Sequence, residues 1–336
     1  MGERAAPHYY GGQALIEGVM MRGQHGWAVA CRRPTSEIYV ESHPVKPLTA
    51  RRPVWRKPML RGLATLGETL AIGMRAMMIA ANQSQEEDQQ LSRRQMAISI
   101  ALAVAAVIGL FIVLPNVIAV LGEDAGRNSA ASHVKEALIR LGLFVGYLLL
   151  IGRMKEIRRV FQYHGAEHMT IAAYEANEPV LEPAAVEKYS TIHVRCGTNF
   201  LILVMLLTIV TTSFFGRPAL WLQIVERVGV VALVTMVSYE LLRLGAAHLE
   251  NPVVRAIMAP GLWLQKITTR RPEPDMIEVA IRSFQAVLPE AERAKVAPLP
   301  SRVVVGNSLE AEDPGAADRS AHAMGIDGEE PPQRPD

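Results

Sequence analysis

The stretch MAISIALAVAAVIGLFIVLPNVIAVL, residues 96–121, is continuously apolar and decides the expected fold. A transmembrane helix needs about 20 mostly apolar residues, and a span tolerates a single internal proline such as Pro115. Three further apolar stretches, residues 137–152, 200–215 and 228–242, are candidate spans in the same way. We therefore expect a mainly α membrane protein with about four transmembrane helices. An even number of spans places both termini on one side.

The composition agrees with a membrane protein that has polar ends. Half of the 336 residues are hydrophobic and 20% are charged, which is fewer charges than a soluble domain usually carries. The 35 basic and 33 acidic residues give a net charge of +2, and this near balance argues against a nucleic-acid-binding protein. Two cysteines exclude a dense disulfide framework and fit a reducing compartment.

The distribution of basic residues predicts the orientation of the spans. Lysines and arginines are frequent before the first span, just after the second and after the fourth, whereas the loops 122–134 and 216–220 contain one arginine each. By the positive-inside rule, both termini and the loop 153–198 are cytoplasmic. We expect a multi-pass protein of the inner (plasma) membrane, with the lipid bilayer as its partner.

The polar segments divide the expected fold into three regions. Residues 1–58 form a cytoplasmic β-rich segment, because turn residues separate two runs of strand propensity and indicate a small antiparallel hairpin. Residues 59–288 form the helical membrane domain, in which 59–82 and 251–269 are amphipathic helices at the interface or packed on the protein. Residues 289–336 are expected to be a disordered acidic tail.

The strongest chemical signal is the sequence His164-Gly-Ala-Glu167-His168. Two histidines four residues apart lie on one face of a helix, close enough to share a metal ion, and the glutamate beside them could polarise water. This H-x-x-E-H spacing is that of the inverted zincins. The alternative is a helix near the membrane in which these side chains are solvated or hydrogen-bonded to one another.

A third metal ligand has to come from another part of the chain. His193 and Cys196 are candidates on a helix or turn before the third span, although Cys196 could also be a small buried residue. Glu240 is a candidate because an acid at the end of an apolar helix needs a partner, which could also be a nearby arginine. Two further site candidates are Asn199, which could instead cap the third span, and His248. The predicted orientation places all of them at the cytoplasmic membrane face.

The glycine-rich segment 11–23 is a second signal, with Glu17 and Arg22 between its glycines. It lacks the Gly-Lys-Ser/Thr ending of a phosphate-binding loop and is not a dinucleotide fingerprint. Its glycines favour tight β turns or close backbone packing. Arg22 could pair with Glu17, with Glu167 or with an anionic substrate, so a role in the site and a role in folding both stay open.

Several motifs resemble the YqhQ-like family of bacterial membrane proteins: GQALIEGVMMR at 12–22, YHGAEH at 163–168, HVRCGTN at 193–199, the region of Tyr239-Glu240, and Asn251-Pro252. The resemblance covers roughly residues 11–288. That family is a domain of unknown function that is often labelled a metal-dependent enzyme. The resemblance therefore implies a membrane protein with a metal site. It points to the following residues, without assigning roles among them: His164, Glu167, His168, His193 and Cys196, with Glu17 and Arg22 nearby.

Two functions are compatible with these observations. The first is a metal-dependent enzyme with hydrolase-type chemistry, in which a divalent cation such as zinc is the cofactor and Glu167 is the general base. The second is a non-catalytic membrane scaffold or assembly factor, in which the same polar side chains form a buried hydrogen-bond network. The substrate is unknown, and a homo-oligomer is left open. A transporter is disfavoured, because the spans contain few charges.

Overall fold

The structure of the protein is a computed structural model that describes residues 10–24, 26–86, 92–114, 118, 130–212 and 220–306. Within these residues the chain is mostly helical, with one small sheet. The five strands follow one another in the sheet in sequence order, the first four antiparallel and the last parallel to its neighbour. They are β1 (Gly11–Leu15), β2 (Gly18–Arg22), β3 (Gly26–Arg32), β4 (Ile38–Pro44) and β5 (Val303–Val305).

The predicted N-terminal hairpin is confirmed. Strands β3 and β4 flank a turn at residues 33–37, in which the Arg33 amide donates to the Glu37 carbonyl over 2.9 Å. Strands β1 and β2 form a second hairpin through Ile16 and Glu17, and Glu17 adopts the left-handed backbone conformation with φ 50°.

The other regular elements of the described residues are helices. In order they are α1 (Leu48–Arg51), a 3₁₀ turn (Pro53–Arg56), α2 (Leu60–Gln83), α3 (Arg93–Ile108) continued by a π turn (Gly109–Val113), α4 (Ala130–Ile151), α5 (Lys155–Glu175), α6 (Pro183–Val186), α7 (Gly197–Thr212), α8 (Leu220–Ala247), α9 (Pro252–Thr268), α10 (Pro274–Val287) and α11 (Glu290–Arg293).

Helices cover the sheet on both faces. Alternate residues of a strand point to opposite faces, so Val19 and Met21 pack with α5 and α10, whereas Met20 packs with α2. The first of these cores contains the large buried side chains of Tyr163 and Phe284. Residues from both ends of the chain therefore share one core.

The boundary of the predicted disordered tail is wrong, because residues 290–306 belong to the fold. Val303–Val305 extends the sheet beside β4, and Leu181 and Val296 form an isolated parallel bridge. The buried carboxylate of Glu278 also accepts hydrogen bonds from the amide and hydroxyl of Ser301, at 2.9 and 2.8 Å. Backbone pairing and these polar contacts order a segment whose composition suggested disorder. The remainder of the predicted tail, 307–336, lies outside the described residues.

The expectation of four transmembrane helices is not supported. By length and composition, one helix of the described residues could cross a membrane, and it is Leu60–Gln83, which the sequence analysis assigned to the interface or to packing. Three of the predicted spans coincide with apolar helices whose described apolar parts have 10–17 residues, namely Ala97–Phe111, Leu138–Ile151 and Gly197–Thr211. The fourth lies within α8, whose sequence also contains charged residues. Residues 115–117, 119–121 and 213–215 of the predicted spans lie outside the described residues.

Helix α2 packs its inner face on other parts of the protein. Gly62 lies against the Tyr239 ring of α8, Gly73 lies against the Gln13 side chain of β1, and Ala76 and Ala80 are buried against the sheet. Its outer face exposes apolar side chains, among them Leu70 at 65%. Helix α2 therefore links helix α8 to the sheet.

Candidate metal centre

Helix α5 presents the three residues of the H-x-x-E-H motif. The rings of His164 and His168 are 4.4 Å apart between centroids, as expected for positions four apart on one helix face. Gly165 lies between them, and a Cβ at this position would overlap the carbonyl oxygen of Arg270. The glycine thus lets the segment after α9 pass directly over α5, which buries the motif.

Cys196 joins the two histidines from another segment. It ends a turn in which its amide donates to the carbonyl of His193 over 3.4 Å, and α7 begins at the next residue. Its Sγ lies 3.2 Å from His164 Nε2. One ligand atom of each of the three residues lies within 4.8 Å of the other two, and we call this group the His–His–Cys cluster.

Backbone carbonyls fix the tautomers of both histidines. His164 Nδ1 is 2.9 Å from the Thr268 carbonyl oxygen, and His168 Nδ1 is 2.6 Å from that of Thr191. Because a carbonyl only accepts, each Nδ1 carries a proton, and in a neutral ring Nε2 then has a free lone pair. His168 is 1% exposed, and its Nε2 has no hydrogen-bond partner among the described residues. Burial lowers the pKa of His168 well below its usual range, so this ring is neutral at physiological pH.

Glu167 lies beside the cluster but is not part of it. Its side chain is 4% exposed, the backbone amide of Gly12 donates a hydrogen bond to it, and Oε2 has no partner within the described part of the chain. Burial raises the pKa of this carboxyl to about 8, although nearby His164 opposes the shift. In the metal-free protein the group is therefore mostly protonated at pH 7.

Gly12 shows that the glycine-rich segment contacts this site. A Cβ there would lie 2.9 Å from Cγ and Cδ of Glu167 and 2.6 Å from the carbonyl oxygen of Met20. Real Cβ atoms essentially never approach other atoms so closely. Only glycine therefore fits between strand β2 and the Glu167 carboxyl group without displacing one of them.

His193 lies next to the cluster without joining it. Its ring centroid is 5.8 Å from that of His168, but its Nε2 is 3.2 Å from Oε2 of Glu175, which also pairs with Arg195. Burial lowers the pKa of His193. The Nε2 atom of His193 therefore pairs with Glu175, and His193 is not one of the three residues whose ligand atoms converge.

Glu240 lies at a different place. It forms an ion pair with Nε and Nη2 of Arg61, Nε being 2.7 Å away, and accepts a hydrogen bond from the amide of Met59 over 3.1 Å. A nearby arginine was also compatible with the sequence as the partner, but Arg61 takes that place. This carboxylate thus holds the start of α2 against α8.

The remaining predicted site residues have structural partners. Glu17 accepts from Arg159 Nη2 at 2.6 Å, and Arg22 pairs with Glu68 at 2.7 Å rather than with either predicted glutamate. His248 is exposed, and its Nδ1 lies 3.1 Å from the carbonyl oxygen of Leu244. The side chain of Asn199 is near the cluster, where its amide donates to the carbonyl of Val194 over 2.6 Å.

The residues that support the cluster are not among those predicted from the sequence. Thr191 and Thr268 act through their carbonyl oxygens, which every residue type has, so no sequence signal could have identified them. Gln265 of α9 is completely buried and bonds to the backbone of His193. An amide on the apolar face of a predicted amphipathic helix would have been a usable signal for it.

Comparison with known proteins gives the family. A family model described as "Protein of unknown function (DUF1385)" matches residues 57–290. The chain belongs to the DUF1385 family. In a separate comparison, the uncharacterised protein YqhQ of Bacillus subtilis (strain 168) is 32% identical over 302 residues, which cover 86% of this chain and 95% of the relative. No solved structure matches the chain.

The family assignment confirms the YqhQ resemblance and covers the cluster. His164, His168 and Cys196 lie inside the region that the DUF1385 model matches, whereas Gly12 precedes it. The family description assigns no activity, so the chemistry of the site has to be argued from its own geometry.

Proposed function

We propose that this DUF1385 protein is a metal-dependent membrane enzyme with hydrolase-type chemistry. In this proposal His164, His168 and Cys196 hold a divalent cation, and Glu167 is the general base. One observation carries the proposal: one ring nitrogen of each histidine and the Cys196 thiol lie within 4.8 Å of one another, and within the described residues the buried Nε2 of His168 has no hydrogen-bond partner. A buried acceptor without a hydrogen bond costs about 1–3 kcal/mol, and a cation would remove that penalty.

The donor set fits zinc best among common divalent ions. Imidazole nitrogen and thiolate sulfur are the ligands that zinc prefers, whereas magnesium and calcium prefer oxygen. The carbonyl bonds to both Nδ1 atoms are also the outer contacts that orient histidine ligands in zinc sites. Three protein ligands leave a fourth position, which is the pattern of catalytic rather than structural zinc sites.

The chain's own groups are arranged for proton transfer. Bound zinc would act as a Lewis acid and lower the pKa of water toward neutrality. The Gly12 amide holds the Glu167 carboxyl group, and the unpartnered Oε2 can accept a proton. A nearby cation favours the ionised carboxylate, so metal binding would convert a protonated side chain into a base. Because Glu167 and His168 are buried, bulk water has little access to the reacting groups.

Membrane insertion by about four spans remains part of the proposal. Apolar side chains are widely exposed on the helices of the predicted spans, for example Leu102 at 66%, Leu201 at 47% and Val231 at 50%. Exposed apolar surface of this extent fits contact with lipid. The basic residues between and after the spans support a cytoplasmic position for the metal centre, in the inner membrane with both termini on the same side.

Metal analysis of the detergent-purified protein tests the first part of the proposal. We expect about one zinc ion per chain in the wild type and far less than one in the His164→Ala/His168→Ala variant. His248→Ala is the matched control, because it removes an exposed histidine outside the cluster and should leave the metal content unchanged. Equal and substoichiometric metal in all three proteins would contradict a metal centre.

The scaffold function remains the second candidate, and one observation favours it. The same side chains join three segments: His164 bonds to the end of α9, His168 to the loop at Thr191, and Glu167 to strand β1. In a scaffold, Glu167→Gln should lower folding yield and abundance. In an enzyme, the same variant should accumulate and bind zinc normally while hydrolytic activity is lost.

A further inference from the structure

The inner face of α9 holds the turn that carries Cys196. Gln265 is completely buried there and makes three hydrogen bonds with its side-chain amide. Its Oε1 accepts from the amide of His193 over 2.8 Å, and its Nε2 donates to the carbonyl of His193 over 2.8 Å and to Oδ1 of Asn199 over 3.2 Å. Both backbone groups of the first residue of the turn are thus fixed by one side chain.

Asn199 fixes the same turn from the other end. It is 1% exposed, and its Nδ2 donates to the carbonyl of Val194 over 2.6 Å. Gly261, one helical turn before Gln265, lies directly against it, and a Cβ at Gly261 would overlap Oδ1 of Asn199. Gln265, Asn199 and the gap at Gly261 therefore form one connected support around the turn at residues 193–196.

Helix α9 also orients the ligand opposite Cys196. Thr268 lies three residues after Gln265 and is the last residue of α9, so its carbonyl oxygen has no partner within the helix and accepts the Nδ1 proton of His164. One rigid helix thus contacts the supports of two cluster members. Its position sets the separation between His164 Nε2 and Cys196 Sγ, which is 3.2 Å.

We infer that Gln265 is a positioning residue for the metal centre, which holds the Cys196 turn at the distance from His164 that a shared cation requires. The inference rests on the proposed metal centre and assigns no contact between Gln265 and the metal. Supporting residues of this kind typically change metal affinity by about 10- to 100-fold when they are replaced.

Gln265→Glu tests the inference with little change in volume. The variant keeps an acceptor for the His193 amide, but an oxygen replaces the Nε2 donor and faces the carbonyl of His193 and Oδ1 of Asn199. We expect zinc affinity, measured by competition with a chromophoric chelator, to fall by about tenfold or more. The sulfur-to-cobalt charge-transfer band of the cobalt-loaded protein should also shift or weaken, because the thiolate is displaced.

Two further variants separate positioning from a general loss of stability. Ser283→Ala removes a completely buried hydroxyl that bonds to the Ala28 carbonyl over 3.0 Å in the core beside the sheet. This control should lower the unfolding temperature in chelator without changing zinc affinity. Asn199→Asp removes the donor to the Val194 carbonyl while keeping the acceptor for Gln265. If Gln265→Glu folds poorly, Asn199→Asp tests in its place whether the support of the Cys196 turn sets zinc affinity.

The outcomes distinguish this inference from the proposed function. A wild-type protein that binds neither zinc nor cobalt would overturn both. A wild type that binds zinc, with Gln265→Glu and Asn199→Asp of equal affinity and unchanged cobalt spectrum, would overturn the positioning role alone. Weaker binding in these two variants with normal binding in Ser283→Ala would support it.

Discussion

Replacing Glu167 by glutamine should change how the stability of the metal-free protein depends on pH. The folded protein holds the pKa of this carboxyl at about 8, against an ordinary value of 4.5. A raised pKa in the folded state means that the folded chain binds the proton more tightly than the unfolded chain. The stabilising contribution is therefore complete below about pH 4.5 and is lost as the pH rises through 8.

The expected change in the free energy of unfolding is taken from the pH range in which Glu167 dominates the pH dependence. Below pH 6.5, unfolded histidines become charged while buried His168 stays neutral, so that effect would overlay the Glu167 term. Between pH 6.5 and 8 the carboxyl contributes a loss of about 1.4 kcal/mol per pH unit, or roughly 2 kcal/mol in all. A neutral glutamine does not titrate and makes no such contribution. Between pH 6.5 and 8, the free energy of unfolding of the variant should therefore fall by roughly 2 kcal/mol less than that of the wild type.

Thermal unfolding followed by tryptophan fluorescence, in detergent with a chelator, measures this difference. Unfolding entropy is about 2.1 cal/mol/K per residue, so for a chain of 336 residues 2 kcal/mol corresponds to a shift of roughly 3 °C in unfolding temperature. The comparison concerns the slope with pH, so it is insensitive to how well the glutamine amide packs. Glu187→Gln, which removes a carboxylate at the surface, is the matched control. Equal pH slopes in Glu167→Gln and the wild type would refute the burial argument.

Three further predictions concern the metal and its surroundings. Burial raises the pKa of the Cys196 thiol, so zinc must displace a proton from it. In chelator competition titrations between pH 6.5 and 8, this proton should contribute up to about tenfold per pH unit to the rise in zinc affinity, and Cys196→Ser should lack that contribution. Gly12→Ala should lower the free energy of unfolding by about 1–3 kcal/mol in denaturant titrations, whereas Gly11→Ala, with open space around its Cβ, should not. Glu240→Gln should leave the zinc content unchanged by elemental analysis, and a loss of zinc would place that residue in the centre after all.

Helical periodicity accounts for the part of the site that the sequence could predict. Residues i, i+3 and i+4 share a helix face whatever the surroundings, so His164, Glu167 and His168 had to lie together once their segment was helical. Cys196, one of several candidates for a third ligand, lies beside the two histidines in the structure. Helix geometry accounts for the positions on α5, whereas the position of Cys196 depends on the tertiary packing of another segment.

For the other ligand candidates, residue type alone does not predict whether the side chain lies in the cluster. His193 and Glu240 are candidates by sequence because they are polar and close to predicted spans, but both have charged partners that are distant in sequence. Glu175 is 18 residues from His193, and Arg61 is 179 residues from Glu240. No local pattern predicts such pairings, because the tertiary packing of the helices creates them.

The fold shows the same contrast between local and long-range signals. The hairpin of β3 and β4 was predictable because turn residues lie between two strand-like runs. The fifth strand was not, since Val303–Val305 is ordered by pairing with a strand more than 250 residues earlier rather than by its own composition. The burial of both sheet faces likewise depends on α2 and α10, which are remote in sequence.

The shared core of the sheet imposes an order on biosynthesis. Strands β1 to β4 leave the ribosome first, but the helix that covers one of their faces, Pro274–Val287, is translated only after all of α2 to α9. During that interval the nascent hairpins present an uncovered apolar surface, a state prone to misassembly. The protein can therefore complete the core around its sheet only late in translation, and a ribosome-bound chain that ends before residue 274 should recruit chaperones.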